Sequence, residues 1–261
     1  MQITMRVLAL VAAMTFLGNA LAQAQDPQNK PTIVLVHGAF AETSSWNGVI
    51  AELNRRGYVA IAAANPLRSV AKDAAAISAV VHSIAGPVVL VGHSYGGPVI
   101  TAAANGNGNV KALVYVAGFV PDIGESAFTL SERFPGSTLG SAIVPVALPD
   151  GGRDLYIAPE KFHTQFAADV PEDEARLMAA TQRPVTQAAL AEASAAAAWK
   201  TLPSYVIYGS EDRNIPAAVM AFMAERAHAV KTVAIDGASH ALMVSHAKEV
   251  AAFIDEAASA K

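Results

Sequence analysis

The segment Gly92-His93-Ser94-Tyr95-Gly96 stands directly after the apolar run Val88-Val89-Leu90-Val91. A serine hydroxyl is a weak nucleophile until a base takes its proton, so a reactive serine must be lifted clear of its surroundings with room for that base beside it. Glycines two positions before and two after Ser94 permit the cramped strand-to-helix turn that does this. Val99, Ile100 and Ala103 follow at helical spacing, which is the context the pattern requires.

The base and its orienting acid are sought after other apolar runs. His240 closes Asp236-Gly237-Ala238-Ser239-His240, and Asp212 lies in Gly209-Ser210-Glu211-Asp212-Arg213-Asn214-Ile215-Pro216, just past the run Tyr205 to Tyr208. Glu211 and Asp236 compete for the acid's role. Ile215-Pro216 opens a helix and leaves Asp212 in the loop, whereas Asp236 lies too near His240 in sequence to reach around its far side; Asp212 is preferred. Six further histidines accompany His240. His37 and His93 flank glycines at strand ends and are expected to make structural hydrogen bonds, while His82, His163, His228 and His246 fall in helical patterns. The predicted catalytic set is therefore Ser94, Asp212 and His240. An oxyanion needs fixed donors, and His37-Gly38-Ala39-Phe40 at the end of the first run can aim the Ala39 N–H at the site, with the Tyr95 N–H as its partner. This set is suited to acyl transfer from an ester.

Such a site needs a scaffold that gathers strand ends. Apolar, β-branched runs at Ile33 to Val36, Val59 to Ala63, Val88 to Val91, Ala112 to Ala117, Tyr205 to Tyr208 and Thr232 to Ile235 alternate with amphipathic stretches. That alternation predicts an α/β fold with a parallel sheet covered by helices on both faces. Ligands in such sheets bind outside the carboxyl ends of the strands. Trp46, Val49, Ile50 and Leu53 form one helical face before Gly57; Ser69 caps a helix carrying Ile77, Val81 and Ile84; Val219, Phe222 and Met223 mark a later helix, and Val250, Phe253 and Ile254 the last. The alternation gives core segments at 31–120 and 200–261. Between them, 121–199 offers no convincing buried strand, with Pro, Gly and Asp clustered at Phe134 to Arg153 and helical patterning from Pro159 to Trp199. An insertion of this length is expected to be a helical cap, and the alanine-rich Ala191 to Ala198 is expected to be helical by propensity. Phe40, Phe119, Trp199 and Met243 are the expected substrate contacts, supplied by the first turn, the cap and the histidine loop.

Composition excludes several classes. The chain has 261 residues, 53% hydrophobic and 15% charged, which suits one domain with a large core and not a disordered chain. Its 18 basic and 22 acidic residues give a formal charge of -4 with no basic cluster, so no nucleic-acid partner is expected. Without cysteine there is no disulfide, thiol nucleophile or thiolate metal site. No histidine or carboxylate spacing suggests a metal, and Gly92 to Gly97 does not fit a dinucleotide loop, so neither metal nor cofactor is expected. Arg6, the apolar run Val7 to Leu17 and Ala20-Leu21-Ala22 predict a secretory signal peptide over 1–24, with cleavage after Ala22 or Ala24. The apolar run is shorter than the ~20 residues of a spanning helix, so no membrane span is expected after processing. An exported, periplasmic or secreted protein, monomeric or homodimeric, is expected.

With these residues placed, the chain resembles the α/β hydrolases, and within them the plant methylesterases and hydroxynitrile lyases with their bacterial relatives. Val34-Leu35-Val36-His37-Gly38-Ala39 and Gly92-His93-Ser94-Tyr95-Gly96-Gly97 are shared widely among hydrolases. Phe119-Val120-Pro121-Asp122, Pro171-Glu172-Asp173, Arg183-Pro184 and Gly237-Ala238-Ser239-His240 look like that branch. The resemblance implies a six-stranded core under a helical cap, the triad Ser94, Asp212 and His240, and Ala39 and Tyr95 as oxyanion donors. It differs from the lyases, which carry Thr where Gly38 stands and Lys where Ala241 stands; hydrolysis of a small-molecule ester is therefore expected. The same triad also suits a cofactor-free perhydrolase or haloperoxidase, or a slow-turnover ligand receptor.

Overall fold

The computed structural model describes residues 30–260; the signal peptide predicted over 1–24 lies outside them. β1 (Thr32–Val36) leads through α1 (Asn47–Arg55) to β2 (Ala60–Ala63), and α2 (Val70–His82) leads to β3 (Val88–His93). The Ser69 hydroxyl accepts the Lys72 N–H and so caps α2, as its position before an apolar-periodic stretch predicts. α3 (Gly96–Ala104) starts immediately beyond the Ser94 turn and is followed by β4 (Val110–Val116).

The insertion between β4 and the next core strand is not purely helical. It holds α4 (Ala127–Ser131), the hairpin β5 (Ile143–Ala147) and β6 (Arg153–Ile157), α5 (Pro159–Phe166), α6 (Glu172–Thr181), β7 (Val185–Thr186) and α7 (Gln187–Ala191). β5, β6 and β7 form a separate antiparallel sheet in that order, so the expectation of a wholly helical cap is corrected. The hairpin was obscured because Pro145 interrupts the apolar pattern, yet β5 is an edge strand, where proline is tolerated. The alanine-rich stretch is corrected as well, since α7 stops at Ala191. Tertiary bonds override propensity there: the Glu192 carboxylate accepts the Val70 and Ala71 N–H groups, and the Ser194 N–H donates to Glu125 O at 2.7 Å.

The chain then returns through β8 (Ser204–Gly209), α8 (Ala217–Arg226), β9 (Lys231–Ile235), α9 (Leu242–Ser245) and α10 (Ala247–Ser259). Six strands form one parallel sheet in the order β2-β1-β3-β4-β8-β9. α1 pairs with α10 and α2 with α3 to cover it. β3 and β8 are buried along their whole length, which is why the central strands read as unbroken apolar runs and not as alternating ones. Val34, Leu90, Val91, Leu113 and Val114 are fully buried at the centre of the core. All six strands point their carboxyl ends the same way, and the loops leaving β1, β3, β8 and β9 carry Ala39, Ser94, Asp212 and His240.

Candidate active site

Ser94 sits where β3 ends and α3 has not yet begun, with φ of 53°, a left-handed conformation that non-glycine residues rarely adopt. The turn is fixed from both sides: the Ser94 N–H donates to Ala117 O at 3.1 Å, and Ser94 O accepts the N–H groups of Gly97 and Phe119. A Cβ at Gly92 would lie 2.6 Å from Gly96 O, so the flanking glycines are required by close approach of backbone to backbone.

Asp212 and His240 meet behind this turn. The His240 Nδ1–H donates to Asp212 Oδ2 at 2.6 Å, and both side chains are buried. The other carboxylate oxygen, Oδ1, accepts the N–H groups of Asn214 at 2.7 Å and Ile215 at 2.9 Å. One carboxylate thus holds both the histidine and the start of the loop into α8. The rivals lie elsewhere: the Asp236 carboxylate accepts the Ser210 hydroxyl, and the Glu211 side chain faces solvent. His240 Nε2 is buried with no hydrogen-bond partner among the described residues, and Ser94 does not bond to it in this structure. That leaves Nε2 an unoccupied acceptor.

His93 and His37 hold the frame. His93 Nε2–H donates to His240 O at 3.0 Å, and the two rings lie 4.7 Å apart. Burial, helped by repulsion from His240, keeps His93 well below the ordinary imidazole range, so it stays neutral. His37 Nε2 accepts the Asn65 N–H, which leaves Nδ1–H to donate to Gly38 O at 3.0 Å; burial lowers its pKa too. Phe166 on α5 closes the other side, its ring 5.0 Å from His240, and its carbonyl accepts the Ala241 N–H.

Ala39, Phe40, Ser94, Tyr95 and Phe119 line one cavity of about 180 Å³ beneath the insertion, together with Phe128, Leu139, Ile143, Leu155, Leu190, Asn214 and Ile215. The Ala39 and Tyr95 N–H groups donate to no acceptor among the described residues. The lining residues are mainly apolar; the polar ones are serines, Tyr95 and Asn214, and no acidic or basic residue belongs to it. Among the described residues no cluster of His, Asp or Glu could hold a metal ion.

Of the four expected substrate contacts, Phe40 and Phe119 face this cavity and two do not. Trp199 is turned away: its Nε1–H donates to Pro121 O at 2.7 Å, and its ring faces the Arg226 guanidinium. Met243 is fully buried in α9 and absent from the cavity wall. Trp199 is apolar and Met243 follows His240 closely in sequence, but core packing demands apolar side chains equally and closeness in sequence does not turn a side chain toward the site. The walls overlooked, Ile143 and Leu155, sit on the hairpin, whose signal was the turn Leu148-Pro149-Asp150-Gly151-Gly152 between two apolar strands.

The profile of the alpha/beta hydrolase family matches residues 33–253. The chain belongs to the alpha/beta hydrolase family. No curated protein sequence matches it. Among solved structures, this alpha/beta hydrolase is similar to polyneuridine aldehyde esterase, with 20% identity over 87% of this chain and 99% of that one and a TM-score of 0.76. It is also similar to an extracellular alpha/beta-hydrolase from a Paenibacillus species that shares structural and functional homology with tobacco salicylic acid binding protein 2 (20% identity, 88% and 100% covered, TM-score 0.69). A pyrethroid hydrolase from Sphingobium faniae JZ-2 gives 21% identity, 88% and 98% covered, and a TM-score of 0.69. At such identities the likeness shows the hydrolase fold.

Proposed function

We propose that the protein is a serine carboxylic ester hydrolase acting on small or medium apolar esters through an acyl-enzyme. The observation that carries this reading is that Ser94, Ala39 and Tyr95 line one apolar cavity, the last two with backbone N–H groups that have no acceptor among the described residues, with a buried Asp212–His240 pair available as the base. The ester carbonyl enters that cavity, and Ser94 Oγ attacks its carbon as His240 Nε2 takes the hydroxyl proton. Asp212 holds the proton on Nδ1 and stabilises the imidazolium that forms. The oxygen of the tetrahedral intermediate lies between the Ala39 and Tyr95 N–H groups. His240 returns the proton to the leaving alcohol, and water repeats the cycle on the acyl-enzyme. An uncharged wall suits an uncharged acyl or alkoxy group. That an esterase and a pyrethroid hydrolase are among the similar structures favours the same class.

The test is Ser94→Ala, purified and assayed with p-nitrophenyl butyrate, for which turnover falls by ~10³-fold or more. Hydrolysis surviving in that variant overturns the reading. Export belongs to the same proposal, on the strength of Arg6, Val7 to Leu17 and Ala20-Leu21-Ala22. N-terminal sequencing of protein recovered outside the cytoplasm is then expected to begin at Gln23 or Gln25, and recovery only in the cytoplasm with Met1 retained would count against it.

A further inference from the structure

Both candidate oxyanion donors are tethered to the same point of the insertion, the dipeptide Arg183-Pro184 that precedes β7. The first tether runs to the Ala39 turn. Phe40, held at φ of 61°, donates its N–H to Arg183 O at 2.9 Å, so the peptide next to the Ala39 donor is pinned by the insertion and not by the sheet. Two residues on, the Glu42 carboxylate accepts Arg183 Nε–H at 2.8 Å and the Thr43 N–H at 3.2 Å. The second tether runs to Tyr95. Its hydroxyl donates to Asp73 Oδ2 at 3.0 Å, and both oxygens of the Asp73 carboxylate accept the Arg68 N–H at 3.1 Å. The Arg68 guanidinium then crosses to the insertion, donating to Pro184 O at 2.8 Å and to Asp154 on β6 at 2.7 Å. Asp73 is fully buried, so its orientation is set by these partners.

We infer that Arg183-Pro184 is the anchor through which the insertion sets the positions of the Ala39 and Tyr95 N–H donors, with Glu42, Arg68 and Asp73 as positioning residues. The inference rests on the ester hydrolase reading. The insertion also meets the core elsewhere, through Glu192 at the start of α2 and through the Phe166 carbonyl at Ala241; these two tethers differ in leaving adjacent residues and in ending at the Ala39 turn and at Tyr95, the two residues that carry the donors. An oxyanion donor is worth ~10²–10³ in turnover, and that value falls steeply with misplacement because the donor must meet a charge that exists only in the transition state. Loosening a tether therefore lowers kcat and leaves KM alone.

The experiment compares Glu42→Gln, Arg68→Gln, Arg68→Lys and Tyr95→Phe with the unaltered protein, using p-nitrophenyl butyrate and counting active sites with a fluorophosphonate. Glu42→Gln, Arg68→Gln and Tyr95→Phe are each expected to lose about tenfold in kcat per titrated site, with KM held within about twofold. Affinity for a trifluoromethyl ketone, which forms a tetrahedral adduct, falls by the same factor, while affinity for the matching methyl ketone does not. Arg68→Lys restores charge but not the planar fork and recovers only part of the loss. Tyr95→Phe removes a single oxygen and keeps the backbone donor, so it remains informative if the charge variants do not fold. Unchanged kcat per site in these variants, or KM rising while kcat holds, overturns the inference and leaves the hydrolase reading intact. Absence of both ester turnover and fluorophosphonate labelling in the unaltered protein overturns the hydrolase reading itself, and this inference with it.

Discussion

Asp212 divides its carboxylate between two tasks, and this division predicts how it fails. Oδ1 is committed to two backbone N–H donors and Oδ2 to His240. In Asp212→Asn the amide oxygen must stay with the backbone donors, so the NH₂ is turned toward His240 Nδ1 and forces the proton onto Nε2, where the base should be free. Turnover is expected to fall by ~10⁴ with the fold intact, as when the orienting acid of a serine triad is made an amide; a loss below about tenfold in steady-state assays would refute the role. Gly38 is under a different constraint. A Cβ there would lie 2.6 Å from Ser94 Cβ and 2.7 Å from His93 O, so Gly38→Ala has to displace the Ser94 turn. It is expected to cost about 1–3 kcal/mol of stability and most of the ester turnover, read by denaturant unfolding and kcat; unchanged values in both would show that the turn can give way. The lyase-like threonine at this position fits still less well. The residues that meet here were legible in sequence because each follows a strand or precedes a helix start, a local signal. Trp199 and Met243 show the opposite case, since apolar type alone does not say which wall a side chain faces.

At the scale of elements, α5 joins insertion to site. Phe166 stacks edge-on against both His240 and Phe40 and lies 5.0 Å from Phe162, while its carbonyl accepts the Ala241 N–H and the Ser239 hydroxyl. Phe166→Ala opens a cavity beside the histidine and is expected to cost about 3–5 kcal/mol. The conservative Phe166→Leu, with most of the volume kept, should retain the fold but reduce kcat, because the face that fixes the imidazole plane is lost. Urea unfolding and kinetics on the pair check this, and equal kcat for Leu and Phe would assign α5 to packing alone. The elements themselves were unequally legible. The inner strands β1, β3, β4 and β8 stand out as apolar runs because a parallel sheet buried on both faces has no polar side to interrupt them, while β2 and β9 at the edges are partly exposed. The hairpin β5–β6 does not stand out, because a largely exposed edge strand with Pro145 in its middle shows neither a buried run nor a clean alternation. The 192–197 stretch departs from its helix propensity for a further reason: its conformation is set by bonds to α2 and to Glu125 that are distant in sequence.

For the whole molecule, the site's two buried histidines make stability depend on pH. His37 and His93 both have pKa values lowered by burial from the ordinary value of 6.5, His93 strongly so. Above that value the folded and unfolded chains are alike, with both imidazoles neutral. As pH falls below it, the unfolded chain takes up protons that the native core refuses, so unfolding binds protons and stability falls with pH. Each such histidine contributes a slope of about 1.4 kcal/mol per pH unit until its own native pKa is reached. Asp73 works in the other direction: burial raises its pKa, so on acidification the native chain is protonated there first and gains relative to the unfolded one. That gain falls nearer the carboxylate range, where Asp122, lowered by its bond to Lys200, begins to cost stability as it is protonated. Between pH 6.5 and 5 the histidines therefore dominate, and urea midpoints should drop across that interval. His93→Gln keeps an N–H able to reach His240 O but cannot titrate, so its slope should be shallower than that of the unaltered protein. A flat midpoint from pH 7 to 5, or an equal slope in His93→Gln, would show that His93 is protonated in the folded state and that the frame behind His240 is wetter than its burial implies.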